Sequence, residues 1–152
     1  MKKILLFLLL TLTACGFRPM YSGDDMGIYV SPIDGINGIE LRNALNTQFG
    51  GPHDETAKYK LVVSLGNPLT QYKALAQTGD ATWQEISITA HYKIMCGDKE
   101  IASGTEKASE SYTFVRYLVA SNASYNNAVK NTISVLAKKI GARAISETQK
   151  AE

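Results

Sequence analysis

The sequence predicts an α+β domain in which two amphipathic helices pack on one mostly antiparallel four-stranded sheet, as a two-layer sandwich. Apolar residues recur every three or four positions over 39–49 and 125–140, which is typical of one-sided helices. Residues 58–65 and 85–96 instead alternate apolar and polar side chains, as half-buried strands do. One-sided helices and a one-sided sheet bury their apolar faces by stacking, so the expected order is β-α-β-β-β-α.

The first strand is predicted at residues 28–30, in a stretch that glycine and proline otherwise interrupt. In the helix that follows, Asn37 with Glu40 three residues later predicts a capping box. The glycines and proline at 50–52 predict where it ends. Its apolar stripe consists of Leu41, Leu45 and Phe49, with Ile39 and Ala44 beside it.

The strand at 58–65 is interrupted by Asn67-Pro68, and residues 69–76 are expected to continue it as a bent extension before a turn at Gly79-Asp80. Gly97-Asp98 predicts a two-residue hairpin after the next strand, with Ile94 opposite Ile101. The returning strand, from 99 to about 114, is poor in apolar residues and suits an exposed edge. The alternating pattern of the strand before the hairpin buries Ile86, Ile88, Ala90, Tyr92, Ile94 and Cys96.

The second helix is expected to begin at a capping Ser121 or Ser124. Lys138, Lys139 and Arg143 are interpreted as cations that suit the negative end of its macrodipole. Residues 146–152 are expected to fray, so the single domain spans 28–145. The apolar stripe consists of Tyr125, Ala128, Val129, Thr132, Ile133, Leu136 and Ile140.

The chain begins with two lysines and an apolar run over residues 4–10, which has the pattern of a secretory signal and is too short to cross a bilayer. This N-terminal segment ends in Leu12-Thr13-Ala14-Cys15, which resembles a bacterial lipobox. Residues 1–14 are therefore predicted to be a signal peptide, and residues 15–27 a lipidated N-terminus and tether that begins at Cys15. Gly16, where Asp would favour inner-membrane retention, suggests the outer membrane, facing the periplasm. An ordinary secretory signal with an incidental cysteine is the alternative.

Without Lys2 and Lys3 the chain has 14 basic and 14 acidic residues, so it lacks the basic character of a nucleic-acid-binding domain. Of the two cysteines, Cys15 is assigned to the lipid and Cys96 has no partner for an intramolecular disulfide. Cys96 is expected to be a shielded core residue. Stability must then come from a hydrophobic core.

The segment Cys15-Gly16-Phe17-Arg18-Pro19-Met20-Tyr21 resembles the mature N-terminus of LptE, a family of lipopolysaccharide-assembly lipoproteins, with Met20 as its one departure. Residues 40–45, 59–63 and 123–128 are similar to later parts of that family. The resemblance implies a non-enzymatic protein without a cofactor. It further implies that the chain assists assembly of an LptD-type outer-membrane β-barrel, plugs its lumen and binds lipopolysaccharide.

Lipid A carries phosphates, so lipopolysaccharide binding requires cations on an exposed face. Lys58 and Lys60 share the outward parity of one strand, and Lys93 has the outward parity of another. Lys60 and Lys93 would be neighbours if those strands form a long hairpin through the turn near Gly79. A solvated strand face is the alternative interpretation of these three lysines.

Catalytic interpretations have little in their favour. His53 and His91 are the two histidines, and no group of residues has the spacing of a metal site. Two other functions remain open on the sequence. One is an accessory lipoprotein of a periplasmic lipid-transport ABC system, and the other is a lipid-tethered periplasmic hydrolase that would use one of the histidines.

Overall fold

The computed structural model describes residues 26–75, 81–114 and 117–151, and it confirms the predicted α+β class. The leader, Cys15 and the turn at Gly79-Asp80 lie outside these ranges. Two helices pack on one five-stranded mixed sheet. The elements are β1 (Ile28–Val30), α1 (Ile36–Gln48), β2 (Tyr59–Leu65), β3 (Leu69–Leu75), β4 (Ala81–Cys96), β5 (Lys99–Thr113) and α2 (Leu118–Lys150).

Strand β4 is the centre of the sheet. β2 pairs with residues 90–96 of β4 and β3 pairs with residues 81–87, both antiparallel. β5 pairs along the opposite edge of β4, and β1 runs parallel to β2. β2 and β3 therefore follow one edge of β4 in succession, with a break at Gly66 to Pro68. The expected bent extension is a strand in its own right, so the sheet has five strands rather than four.

The turn between β4 and β5 has the predicted two residues, with Gly97 at φ 58° and Cys96 paired with Lys99. The predicted register beyond it is wrong by one residue. Met95 pairs with Glu100 but Ile94 pairs with Ala102, so Ile101 is the extra residue of a β-bulge. The sequence alone does not reveal this bulge, because a regular hairpin would bury Ile101 as readily.

Helix α1 follows Gly35, whose φ is 82°, and no side chain caps its start. The predicted capping box is therefore wrong. Gly38 is needed here, because a Cβ at this position would lie 2.7 Å from the carbonyl oxygen of Ile33. The apolar stripe is confirmed, with Leu41, Leu45 and Phe49 fully buried, whereas Ile39 is 57% exposed.

Helix α2 is 33 residues long, and it begins before either serine predicted to cap it. Its end also differs from the prediction, because the helix continues through Lys150 instead of fraying from 146. Thr148 is buried, and its backbone carbonyl accepts a hydrogen bond of 3.3 Å from the hydroxyl of Tyr59. The C-terminal turns therefore belong to the folded domain.

The three cations expected at the end of α2 lie about two to three turns before it, beyond the last turn in which a helix dipole acts appreciably. Lys139 instead donates a hydrogen bond of 2.7 Å to the carbonyl oxygen of Lys107 on the edge strand. Nε of Arg143 lies 3.5 Å from Oε1 of Glu106 on the same strand. These contacts tie α2 to β5.

The core lies between the sheet and the two helices, and it contains the alternating residues predicted for β2 and β4. From α2 it takes the predicted stripe, except that Tyr125 is only half-buried. The opposite face of the sheet bears exposed polar side chains and is called the open face here. Within the described ranges, neither helix has the length and apolarity needed to cross a bilayer.

Candidate cationic site on the open face

The structure brings Lys60 and Lys93 to the same face of neighbouring strands, as the long-hairpin hypothesis required. Lys60 is opposite Met95, and Lys93 is opposite Val62 one step along the ladder. Residues in this diagonal relation have Cα atoms about 7–8 Å apart, within reach of long side chains. Both lysines are exposed. One phosphate group on the open face would be within reach of both ammonium groups.

Lys60 lies beside an aromatic ring. Its Nζ is 5.8 Å from the ring centroid of Tyr29, the residue that pairs with it on β1. The Tyr29 hydroxyl donates a hydrogen bond of 3.2 Å to Oε1 of Glu55. Burial and then the Glu55 carboxylate raise the pKa of Tyr29. The ring therefore stays neutral and supports the Lys60 side chain without removing its charge from solvent.

Lys93 is already engaged by a carboxylate, since its Nζ lies 3.2 Å from Oε2 of Glu100. A hydrogen bond from Ser103 and then the contact with Lys93 lower the pKa of Glu100. Exposed ion pairs of this kind contribute little to stability, so they exchange readily for another partner. An anionic ligand would have to compete with Glu100 for Lys93.

Lys58 lies just before the first residue of β2 rather than on the strand. Its Nζ is 4.9 Å from the ring centroid of Tyr59. The structure thus joins two of the three predicted lysines on one face and leaves Lys58 at the entry to the sheet.

A shallow depression of about 370 Å³ lies next to Lys93 on the open face. His91 is one of its lining residues, and Nδ1 of His91 lies 2.8 Å from Oγ1 of Thr105. The polar lining supplies several hydroxyl groups and one ammonium group, a combination that suits a hydroxylated, anionic ligand. The sequence pattern gives the outward parity of each residue, but only the register of three strands brings them together. The lining side chains on this face are Val62, Ser64, His91, Lys93, Ser103 and Thr105.

The histidines considered for catalysis lie on different elements. Nε2 of His53, which follows α1, is 3.3 Å from the carbonyl oxygen of Phe49, whereas His91 is on β4. Among the residues that the structure describes, no group of three or more His, Cys, Asp or Glu side chains could hold a metal ion. The Cys96 thiol is free and half-buried, so it is less shielded than the strand parity predicted.

No protein-family model matches the chain, and a search of curated proteins gives no match. Solved structures do match. Rare lipoprotein B from Shewanella oneidensis has a TM-score of 0.64 and 15% identity, over 82% of this chain and 98% of that chain. A DUF330 protein from Xanthomonas campestris has a TM-score of 0.67 and 10% identity, over 88% of this chain and 91% of that chain.

A candidate lipoprotein from Caulobacter crescentus is similar at a TM-score of 0.67 and 18% identity, over 86% of this chain and 96% of that chain. At these identities the similarity establishes the fold. The chain therefore has the fold seen in rare lipoprotein B-like and DUF330 bacterial proteins, over nearly the full length of each.

Proposed function

We propose that the chain is an outer-membrane lipoprotein of the LptE type, anchored through Cys15, that assists assembly of an LptD-type β-barrel, plugs its lumen and binds lipopolysaccharide during transport to the outer leaflet. It performs these roles without catalysis. The observation that carries the proposal is the LptE-like motif at residues 15–21 on a chain with the fold of rare lipoprotein B.

The polarity of the open face supports the role of a plug. The interior wall of an outer-membrane barrel is polar, and the open face offers serine, threonine, histidine and lysine side chains to such a wall. The length of the tether supports the proposed location at the membrane. Residues 15–26 reach at most about 40 Å when extended, so a lipid on Cys15 keeps the domain at the membrane surface.

Lys60 and Lys93 are the residues proposed to hold a lipopolysaccharide phosphate, with Lys58 beside them. The two strand lysines lie at the end of the sheet where β1 begins, since Ile28 pairs with Tyr59 and Tyr59 with Cys96. The tether joins the sheet at this end. The cations are therefore held close to the leaflet that carries the anchor.

The proposal is tested by purifying the full-length chain from solubilised outer membranes and measuring how much LptD-type barrel accompanies it. We expect a stoichiometric complex, incorporation of labelled palmitate, and loss of both the label and membrane retention in Cys15→Ala. Depletion of the chain should reduce folded barrel and surface lipopolysaccharide. Recovery with an ABC-type transporter and without any barrel would contradict the proposal and favour the accessory-lipoprotein alternative.

The lipopolysaccharide step has its own test. The double variant Lys60→Gln/Lys93→Gln should bind lipopolysaccharide more weakly than the wild type in low salt, where exposed charges are least screened. The double variant Lys130→Gln/Lys138→Gln makes the same change in charge on exposed positions of α2 and should bind normally. Equal loss in both variants would mean that net charge, and not this site, attracts the glycolipid.

A further inference from the structure

Exposed apolar side chains concentrate at the end of the sheet opposite the tether, here called the aromatic end. They come from β3, β4, the chain after β5 and the start of α2. Tyr72 pairs with Gln84, which is buried on the face that the helices cover, whereas Trp83 pairs with Thr113 on the open face. The two rings therefore lie on opposite faces of this end of the sheet. The exposed fractions are Tyr72 71%, Trp83 49%, Phe114 39%, Tyr117 80%, Leu118 74% and Val119 82%.

Among the described residues, the aromatic end carries little charge, and Asp80 and Arg116 lie outside those residues. The sequence contains no charged residue and no histidine from Tyr117 through Val129. The nearby ion pair of Lys73 and Glu85, 3.1 Å apart, neutralises itself. Binding to an anionic lipid surface requires clustered lysine or arginine. Surfaces depleted of charge and enriched in Tyr, Trp and Phe are instead typical of the centres of protein interfaces.

The first turns of α2 have little to stabilise them within this chain. No side chain caps the helix, and its buried residues begin at Ala128. Five of the ten residues in 118–127 are Ser or Asn, which favour helix interiors poorly. Helices in proteins are stabilised chiefly by packing, and the packing of this segment is provided mainly by Tyr125, whose ring centroid lies 6.1 Å from that of Tyr112. The segment belongs to the part of the domain that opens most easily.

The N-terminal segment of the chain cannot cover the aromatic end while it is anchored. Trp83 and Cys96 are 13 residues apart on β4, a separation of about 43 Å. The chain enters the structure at Met26, whose N–H donates to the carbonyl oxygen of Phe49, beside the Cys96 end of the sheet. The residues between Cys15 and Met26 span at most about 40 Å, which is less than the length of β4, and the proposed lipid on Cys15 would hold their start at the membrane.

We infer that the aromatic end docks against a weakly charged surface of a protein partner, and that residues 118–127 become stably helical when they dock. Leu118 and Val119, which are 74% and 82% exposed, are the apolar side chains that the start of the helix offers to a partner. The inference rests on the proposed function for the identity of the partner, the LptD-type barrel. It places this docking surface at the end of the sheet opposite the lysines.

Hydrogen exchange measured by mass spectrometry tests the ordering step. The lipidated full-length chain is compared alone in detergent and in its complex with the barrel. In the free chain, amides of residues 118–127 should exchange faster than those of 129–148. In the complex the exchange rates of the amides of residues 118–127 should fall by about tenfold or more, because one hot-spot contact contributes at least that factor to an equilibrium constant. Full protection in the free chain, or unchanged exchange in a complex that forms, would overturn the inference.

A matched pair of substitutions tests the surface itself. The double variant Leu118→Ser/Val119→Ser should reduce the amount of barrel that purifies with the chain by about tenfold or more, because two exposed apolar contacts are lost. Val135→Ser, on the same helix and 37% exposed, should leave recovery unchanged. Lipopolysaccharide binding should persist in both variants, which shows that each is folded.

The other outcomes decide against the inference. Unchanged barrel recovery by the Leu118/Val119 double variant refutes it and leaves the proposed function intact. Loss of binding to phosphatidylglycerol vesicles with normal barrel recovery would assign the surface to a membrane. Loss of a concentration-dependent dimer would assign it to a second copy of the chain. If the wild-type chain recovers no barrel, the proposed function and this inference both fail.

Discussion

Gly104→Ala tests how tightly the central strand and its edge neighbour fit on the buried face of the sheet. Gly104 on β5 lies opposite Tyr92 on β4. The Tyr92 ring crosses the bare Cα, and a Cβ at residue 104 would lie 2.7 Å from the phenol oxygen, 2.9 Å from Cζ and 3.1 Å from Cε1. Tyr92 is 7% exposed, so its ring has little room to move away.

The size of the effect follows from two opposing contributions. Overpacking a well-filled site costs about 1–3 kcal/mol, because a rigid ring must leave its preferred rotamer. Replacing a strand glycine by alanine returns roughly 0.5–1 kcal/mol of backbone entropy. Gly104→Ala should therefore lower the free energy of unfolding by about 1–2 kcal/mol. For a domain of this size the melting temperature should fall by roughly 3 to 8 °C.

Urea denaturation of a double-mutant cycle isolates the contact between residues 92 and 104. In a Tyr92→Leu background the ring is absent, so Gly104→Ala should be neutral or slightly stabilising, with a coupling energy of about 1 kcal/mol or more between the two sites. An equal cost in both backgrounds would refute the reasoning, since the penalty would then lie in the β5 backbone. Stabilisation by Gly104→Ala alone would refute it as well.

Three further predictions concern helix packing, the cationic site and alkaline pH. The three atoms nearest to a Cβ at Gly141 all belong to the side chain of Gln48. Gly141→Ala in a Gln48→Ala background should therefore stabilise the domain by up to about 1 kcal/mol in thermal unfolding, relative to Gln48→Ala alone. Destabilisation would mean that other atoms of α1 fill the gap. Glu100→Gln removes the carboxylate that engages Lys93 and should tighten lipopolysaccharide binding in a salt-dependent manner, opposite to Lys93→Gln. Weaker binding by Glu100→Gln would show that the ion pair orients the lysine instead of competing for it. Burial raises the pKa of Tyr92, so the stability gained from its neutral hydroxyl is complete below its ordinary pKa of about 10 and is lost as pH rises through the raised value. The urea midpoint of Tyr92→Phe should fall less steeply above pH 10 than that of the wild type, and equal slopes would contradict this.

Local patterns in the sequence determined the elements that depend on one strand or one helix at a time. Alternation identified the buried face of β4, and glycine with aspartate identified the two-residue turn after Cys96. The three-four periodicity identified the stripes that include Leu45 and Leu136, both fully buried. These predictions succeed because burial follows from the direction of each side chain, which the backbone period sets.

Only the tertiary structure decided the features in which two elements meet. The pairing of β3 with β4 made a fifth strand from a segment of weak pattern, and the bulge at Ile101 shifted the register of β5. Helix α2 extends to Lys150 because Thr148 is buried in the fold, although the local sequence there is polar. The ion pair between Lys93 and Glu100 depends on that same register. Such contacts join residues far apart in sequence, and their free energy is gained only when the chain has closed around them, so no local pattern encodes them.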